Sequence, residues 1–512
     1  MLRKVVQLIV QSSKLIVKEL LLCLLSAVLL ILSFPDFNLE FLAWFAFVPA
    51  FFTLNNKTGK QAFLLFFITG VAFWSGIIYW LVHVTLAGTA VLILYLALYF
   101  GVFGLLIRPF TKRSTPYLLI FIPSAWVLLE YIRGYLFTGF PWALLGYSQY
   151  LNLPVIQIAD ITGVWGVSFL VMMVNVMIYS VFGSRFSVLE GIKKYFSVIL
   201  CIFVTLSYGY YKIQRAANAE QRTPIKVSVI QGNILQELKW DKISRDFIMN
   251  EYFAISDEAL KDEPDLIIWP EAALPVVLEE EPAYYERVRD FIKARKTPLL
   301  LGAATLRDDI YYNSALLVSG EGKLVGRYDK LHLVPFGEYI PLRDIYSFLE
   351  TIVPIGDFSA GKEKTVFTLP TPNSQLPAKF SVLICFEDLF PDLSRGFVKN
   401  GAGFLVNITN DAWFKTSSSP YQHLSASVFR AVENRVFLVR SANTGVSGFI
   451  LASGKIVSPV KDKYGNKIFI SGYGTKDIFV STQENSFYTR YGDLFMIICA
   501  LLAGTAIFMR RG

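Results

Sequence analysis

Long apolar stretches, each close to the length of a membrane-spanning helix, dominate this sequence. A helix needs about 20 mostly apolar residues to cross the hydrocarbon core of a bilayer. Eight stretches approach that length, and the second and fifth are the shortest: 16–34, 39–54, 61–82, 86–107, 116–132, 162–183, 194–212 and 491–509. Only 17% of the residues are charged, against roughly 25% in soluble domains. The sequence therefore predicts a multi-span α-helical membrane bundle and not a soluble protein with buried helices.

Positive charges alternate between the loops that join these stretches. They precede the first stretch or follow the second, fourth, sixth and eighth, at Arg3, Lys4, Lys14, Lys18, Lys57, Lys60, Arg108, Lys112, Arg113, Arg185, Lys193, Lys194, Arg510 and Arg511. The other loops, at 35–38, 83–85 and 133–161, contain a single lysine or arginine, which is Arg133. Because positively charged loops stay in the cytoplasm, we expect both termini there and residues 213–490 on the outer face.

The positions of the charged residues, cysteines and histidines indicate which partners and cofactors to expect. A net charge of +8 lies in short loops beside apolar stretches, which favours contact with membrane lipids over nucleic acid. Cys23, Cys201 and Cys499 fall in apolar stretches, so Cys385 is alone in the polar segment and has no disulfide partner there. With three histidines and none close together, we expect no metal site and no cofactor.

Residues 213–490 have the pattern of an α/β domain. Short runs rich in Val, Ile and Leu indicate strands at 225–231, 266–269, 299–303, 380–386, 404–408 and 436–439. Charged amphipathic stretches at 281–295 and 422–434 indicate helices between them, and such alternation is typical of sheets covered by helices. We therefore expect three parts: a membrane domain of about seven helices over 1–212, the α/β domain over 213–490, and a last span with a cytoplasmic tail over 491–512.

Two predicted strands end in residues capable of acyl-transfer chemistry. The run LIIWP leads into Glu271, and a carboxylate desolvated at a strand edge can act as a base near neutral pH. The run SVLI leads into Cys385, at the loop where open α/β folds place their site residues. The alternatives are a solvated glutamate and a buried structural thiol.

A third segment, RYDKLHLVPFGEYIP over 327–341, places a lysine among apolar and aromatic residues. Lys330 can supply a fixed positive charge for an oxyanion, and Glu338 can orient it; the alternative is a surface strand with scattered charges. His332 is interpreted as a packed residue and not as a base.

The three motifs together resemble the nitrilase superfamily. That superfamily has a Glu-Lys-Cys triad in this order, matching Glu271, Lys330 and Cys385. Further similarity lies in VIQGN at 229–233, NITNDAWF at 407–414 and RAVENR at 430–435. The resemblance implies an αββα sandwich. Because the domain lies between membrane spans, and TGFPW at 138–142 and GYSQ at 146–149 also match, the whole chain is similar to the apolipoprotein N-acyltransferase family.

This resemblance implies a function and a cellular location. The acyl donor is a membrane phospholipid, the acceptor is the diacylglyceryl cysteine of an apolipoprotein, and a thioester on the cysteine links the two half-reactions in the last step of lipoprotein maturation. The catalytic domain would lie in the periplasm, anchored in the bacterial inner membrane.

Three further positions follow from the resemblance as supporting or substrate-binding residues, namely Glu338, Glu387 and Trp240. The alternatives are a strand-end hydrogen-bond acceptor for Glu387 and a packing residue for Trp240. Phe386 departs from the family, whose members often have tyrosine after the nucleophile, so no phenol hydroxyl is available there.

Two other functions remain open from the sequence. A membrane-tethered amidase would use the same three residues with water as the acceptor. A transporter or membrane-anchored binding protein would need paired charges within the spans, and the predicted spans contain almost none beyond Glu130.

Overall fold

The computed structural model describes residues 2–110, 115–182, 188–218, 224–339, 358–369, 377–481 and 484–508. Several residues of the loops and motifs discussed above lie outside these ranges, namely Lys112, Arg113, Arg185, Ile340, Pro341, Arg510 and Arg511. The helices are α1 (Leu2–Ser33), α2 (Val48–Phe52), α3 (Gly59–Ile77), α4 (Leu86–Ile107), α5 (Thr115–Tyr135), α6 (Leu153–Ile156), α7 (Ala159–Thr162), α8 (Val164–Phe182), α9 (Val188–Asn218), α10 (Arg245–Ala259), α11 (Pro282–Arg295), α12 (Pro391–Lys399), α13 (Ser419–Asn434), α14 (Phe487–Tyr491) and α15 (Leu494–Phe508).

The strands all lie in the polar part of the chain. They are β1 (Ile225–Gln231), β2 (Leu266–Ile268), β3 (Leu299–Arg307), β4 (Ile310–Val318), β5 (Leu324–Asp329), β6 (Phe367–Leu369), β7 (Ala378–Ile384), β8 (Phe404–Thr409), β9 (Phe437–Ala442), β10 (Gly448–Ile450), β11 (Ile456–Val457) and β12 (Gly472–Ile478). Contacts divide the chain into one compact unit of Met1–Tyr211 with Asp493–Gly512 and a second of Lys212–Gly492.

The first unit is built from long apolar helices. Five segments are long and apolar enough to cross a membrane: Gly59–Ile77, Leu86–Phe110, Tyr117–Tyr135, Val164–Phe182 and Tyr195–Arg215. The helix α1 extends well before the predicted stretch 16–34, and α15 has 15 residues within the described part of the chain.

Two details of the predicted bundle are wrong. The stretch 39–54 is not a single helix, because a 3₁₀ turn at Glu40–Trp44 and the short α2 divide it. The amide of Asn175 on α8 fixes this break by accepting from the N–H of Phe47 and donating to the carbonyl of Ala43. Arg133 does not lie in a loop; it is in the last turn of α5 and donates to the carbonyls of Phe140 and Trp142.

Contacts between loops group the two ends of the bundle. At one end, Lys57 pairs with Glu19 of α1, and Arg108 donates to the carbonyl of Lys57 (2.6 Å). At the other end, Tyr150 donates to Asn38 (2.9 Å). Because Glu19 and Ser33, the last residue of α1, are about 20 Å apart along the helix, Lys57 and Asn38 on the two sides of the broken 39–54 segment lie at different levels along α1, and the positively charged Lys57 and Arg108 lie together at one of them.

The second unit contains two mixed sheets, each with six strands among the described residues. Their orders are β12-β1-β2-β3-β4-β5 and β11-β10-β9-β8-β7-β6. In each sheet three strands run parallel, namely β1, β2 and β3 in the first and β7, β8 and β9 in the second. The sheets are joined where the hydroxyl of Ser441 on β9 donates to the carbonyls of Ile230 and Ile268.

Helices cover the outer faces of these sheets. Residues of α10 and α11 share one apolar core with β2, β3 and β4, and α12 and α13 lie against the second sheet. This arrangement confirms the predicted αββα sandwich. The predicted strands and helices are present within a few residues of their expected bounds, although β7 ends at Ile384, so Cys385 begins the following turn.

Candidate active site

Cys385 directly follows β7 and is the first residue of the 3₁₀ turn Cys385–Leu389. Its backbone has φ = 52°, in the left-handed region that non-glycine residues rarely occupy. Its carbonyl accepts from the amide of Asn407 (3.1 Å) and lies 3.2 Å from Nε2 of His423. Strained backbone of this kind persists only where neighbours hold it, and here both neighbours come from the second sheet and its helix.

Glu271 follows β2 after Trp269 and Pro270, and it is 7% exposed. Its turn crosses directly over β3, because a Cβ on Gly302 would lie 2.6 Å from the Cα of Glu271. The amide of Asn313 on β4 donates to Oε1 of Glu271 (2.8 Å). The carboxylate is therefore held on the side that faces the end of β5.

Lys330 directly follows β5 and is 1% exposed. Its Nζ lies 2.9 Å from Oε2 of Glu338 and 3.6 Å from Oε1 of Glu271. Asn313 also donates to Oε1 of Glu338 (2.7 Å), so this one amide joins the two carboxylates that surround the ammonium. Glu338 is thus in direct contact with Lys330, the residue that the sequence predicts it to orient.

Electrostatic interactions link Cys385 to both of these groups. Burial and the Glu271 carboxylate raise the pKa of the Cys385 thiol, and the Lys330 ammonium lowers it only in part. Burial lowers the pKa of Lys330, but Glu338 and Glu271 raise it more, so it lies above its ordinary value. The resting site therefore contains a protonated thiol and a lysine ammonium beside the Glu271 side chain.

Glu387 is fully buried and connects the two halves of the site. Its carboxylate accepts from the hydroxyl of Tyr328 and from the N–H groups of Leu331, His332 and Ile384, at 2.6–3.0 Å. Burial raises the pKa of Glu387 to about 7, although the N–H of Ile384 and the Lys330 ammonium act in the opposite direction. The residue fixes the Lys330 loop to the turn of Cys385 through hydrogen bonds with the backbone.

Trp240 is exposed to solvent, whereas His332 packs against another aromatic ring. Trp240 is 47% exposed, so it is not a packing residue of the core. Its buried neighbour Lys239 donates instead to the carbonyl of Glu271 (3.0 Å). The ring of His332 packs on Phe390 with centroids 3.7 Å apart, which confirms the interpretation of His332 as a packed residue.

A buried polar network behind Cys385 was missed by sequence reasoning. His423 lies between Asp388 (2.7 Å) and Asp411 (3.1 Å), and Arg440 contacts both carboxylates. Asp388 follows the nucleophile motif, and Asp411 lies in NITNDAWF, so their segments were visible. No sequence pattern indicated that His423, on a helix expected only to be amphipathic, would join them. Lys239 and Asn313 were missed for the same reason.

Comparison with known proteins decides the family. A family model described as "Apolipoprotein N-acyltransferase N-terminal domain" matches residues 26–177, and one for carbon-nitrogen hydrolases matches residues 226–470. An apolipoprotein N-acyltransferase from Geobacter metallireducens is 41% identical over 96% of this chain and 94% of its own length. The chain belongs to the apolipoprotein N-acyltransferase family.

Two further similarities were found, one to a curated protein and one to a solved structure. The apolipoprotein N-acyltransferase from Chlorobaculum tepidum is 29% identical, with 96% of each chain covered. The crystal structure of an amidase from Nesterenkonia sp. is 16% identical, covers 54% of this chain and 95% of its own, and has a TM-score of 0.39. The chain is thus a membrane-bound acyltransferase of the carbon-nitrogen hydrolase superfamily, and membership in this family does not favour the amidase alternative.

Proposed function

We propose that this protein transfers a fatty acyl chain from a membrane phospholipid to the α-amino group of the N-terminal S-diacylglyceryl cysteine of apolipoproteins. The observation that carries the proposal is the convergence of Glu271, Lys330 and Cys385, which come from the ends of three strands in two sheets. Within the family to which the chain belongs, this group of side chains suits covalent acyl transfer.

In the first half-reaction, Glu271 takes the proton of Cys385 as the sulfur attacks the ester carbonyl of the phospholipid. The carbonyl oxygen becomes an oxyanion that Lys330 stabilises, and the lysine is already fixed by Glu338. The tetrahedral intermediate collapses, the ester C–O bond breaks, and the alkoxide takes the proton from Glu271. A lysophospholipid leaves, and the acyl chain remains on Cys385 as a thioester.

In the second half-reaction, the amine of the apolipoprotein attacks the thioester. The amine proton passes to Glu271, the C–S bond breaks, and the proton returns to the sulfur. The products are an amide and the free thiol. Because water would hydrolyse the same thioester, transfer to the amine requires a site from which bulk water is excluded, and the 1% exposure of Lys330 agrees with this requirement.

We further propose that the protein lies in the bacterial inner membrane, with the catalytic domain in the periplasm and both termini in the cytoplasm. The grouping of Lys57 and Arg108 at one end of the bundle supports this orientation, since positively charged loops stay in the cytoplasm. An acyl chain also favours a site at the bilayer surface, because moving each CH₂ into water costs about 0.8 kcal/mol.

The test uses the full-length protein in detergent with a phospholipid of defined acyl chain. We expect the mass of one acyl group on the peptide that contains Cys385, and its transfer to a diacylglyceryl-cysteinyl peptide added afterwards. Cys385→Ala and Cys385→Ser abolish both signals, because neither side chain provides a thiolate. Cys201→Ser, a cysteine in α9 far along the chain from the site, is the matched control and keeps both signals.

The competing outcomes are clear. Free fatty acid released without acylation of the peptide would show that water is the acceptor, and the protein would then be a hydrolase. If the Cys385→Ala variant still transferred an acyl group to the diacylglyceryl-cysteinyl peptide, that result would contradict the covalent mechanism.

A further inference from the structure

Lys239 is a buried lysine that the proposed mechanism does not use. It is 2% exposed, although it lies between Leu238 and the half-exposed Trp240 in a polar segment of the chain. Its Nζ donates to the carbonyl of Glu271 (3.0 Å) and to the carbonyl of Ala272 (3.3 Å). The two acceptors belong to the turn that carries the proposed base.

This turn needs support from outside the sheet. Ala272 has φ = 48°, in the left-handed region, and the chain there passes directly over Gly302. The carbonyl of Pro270 accepts from the N–H of Gly302 (3.2 Å), whereas the next two carbonyls accept from Lys239. The ammonium thus fixes the two carbonyls that directly follow the Cα of Glu271, the atom from which its carboxylate side chain extends.

The charge of Lys239 lies near backbone carbonyls and is not paired with any carboxylate in the part of the chain that the structure describes. Within the described ranges, no carboxylate forms an ion pair with its Nζ, whereas Lys330 contacts two carboxylates. Burying an unpaired charge costs free energy. Burial accordingly lowers the pKa of Lys239 to about 8, and interaction with Glu271 and Cys385 opposes that change.

Lys239 adds positive charge to a site rich in carboxylates. The ammonium groups of Lys239 and Lys330 lie near Glu271 and Glu338, and Glu387, whose pKa is raised to about 7, adds part of a further negative charge. When the thiol proton moves to Glu271, a negative charge moves to sulfur and the total charge is unchanged. Without Lys239 the site would carry one more negative charge throughout the attack, which disfavours the thiolate.

We propose that Lys239 is a positioning residue that fixes the Glu271 turn and supplies the second positive charge required for the thiolate of Cys385. The inference rests on the proposed role of Cys385 as the nucleophile.

The Lys239→Met variant leaves the other ionisable groups around Lys239 and Cys385 unchanged. Those that act on Cys385 or surround Lys239 come from several elements: Glu271, Lys330, Glu338 and Asp411, with Glu237, Asp241 and Lys242 on the segment of Lys239 itself.

The experiment measures alkylation of Cys385 by iodoacetamide in the full-length protein, followed on the peptide that contains this residue. We expect Lys239→Met to slow alkylation about tenfold at about pH 7, because raising the thiol pKa by one lowers the thiolate fraction tenfold. At about pH 9.5 the difference should shrink to about threefold or less, since wild-type Lys239 then loses its charge while its amine still donates two hydrogen bonds.

Two further variants separate charge from structure. Lys242→Met, which removes an exposed lysine from the same segment, should alkylate like the wild type. Lys239→Arg retains the charge and should recover the rate at about pH 7 to within about threefold of wild type.

Either of two results would overturn the inference: an unchanged rate in Lys239→Met at about pH 7, or equal slowing at both pH values with a lowered melting temperature. Alkylation needs no acyl donor. If phospholipid leaves no adduct on wild-type Cys385, the proposed function fails, and the alkylation series still decides the role of Lys239.

Discussion

A cluster of buried charged side chains contacts the backbone of the proposed nucleophile. His423 contacts the carbonyl of Cys385 while it lies between two carboxylates, Asp388 and Asp411. Burial lowers the pKa of His423, and Arg440 acts in the same direction, but Asp388 and Asp411 raise it more, to about 9. The imidazolium and Arg440 together neutralise the two aspartates, which lets four charged groups remain buried.

This network predicts a pH-dependent stability. Because the folded pKa of His423 is raised above 6.5, its contribution is present below pH 6.5 and is lost as the pH rises through about 9. The contribution is about 3 kcal/mol. Hydrogen–deuterium exchange of peptides over 377–445 should show the free energy of opening falling across this range in the wild type and much less in His423→Gln.

The control for this measurement is His83→Gln, which removes an exposed histidine from the membrane unit. It should keep the wild-type dependence on pH. An equally steep fall in His423→Gln would show that another group is responsible.

At the scale of elements, the crossing of the Glu271 turn over β3 requires a glycine. A Cβ at position 302 would lie 2.6 Å from the Cα of Glu271 and 2.7 Å from the carbonyl oxygen of Pro270. Both are backbone atoms, which cannot rotate away as the end of a flexible side chain can. The residue type at Gly302 therefore decides where the carboxylate stands relative to Lys330.

We expect Gly302→Ala to lower the rate of Cys385 acylation by phospholipid at least tenfold, because a displacement of about 1 Å in a catalytic group can cost roughly a hundredfold. The measurement is the mass of the acyl adduct against time. Gly472→Ala in β12, where the added Cβ would meet only Val460 at 3.4 Å, is the matched control and should react at the wild-type rate. Equal rates in both variants would show that the turn has room to move.

At the scale of the whole molecule, the proposed orientation requires the broken segment 39–54 to carry the chain across the membrane bundle. Lys57 after it contacts Glu19 and Arg108, and Asn38 before it contacts Tyr150. A short helix joined to a 3₁₀ turn can do so because other helices surround it and satisfy its backbone, as Asn175 does at Phe47.

The proposed orientation predicts which loops are accessible from outside the cell membrane. In spheroplasts, a membrane-impermeant maleimide should label Phe37→Cys, an exposed position in a loop without positive charge. It should label Lys60→Cys only after the membrane is permeabilised. Labelling read on the individual peptides separates these sites from the native cysteines, and the reverse pattern would invert the proposed topology.

The local parts of both the fold and the site were predictable from the sequence. The length and apolar character of a stretch decide whether it can span a bilayer, and the strands leading to Glu271 and Cys385 were recognised because β-branched and aliphatic runs end at turn-forming residues. Lys330 was predicted because it lies in a mostly apolar and aromatic segment and because the three motifs together resemble the nitrilase superfamily. These signals are local, so neighbouring residues suffice to define them.

Tertiary structure alone decided which distant polar groups are buried together. Lys239 and His423 belong to segments whose composition suits a solvated surface, and only tertiary packing removes them from water. The stretch 39–54 is divided through its contacts with Asn175 on α8, which is distant in the sequence. A side chain's free energy depends on the charges and hydrogen-bond partners that folding brings within a few ångströms, and for these residues the partners are far away in sequence.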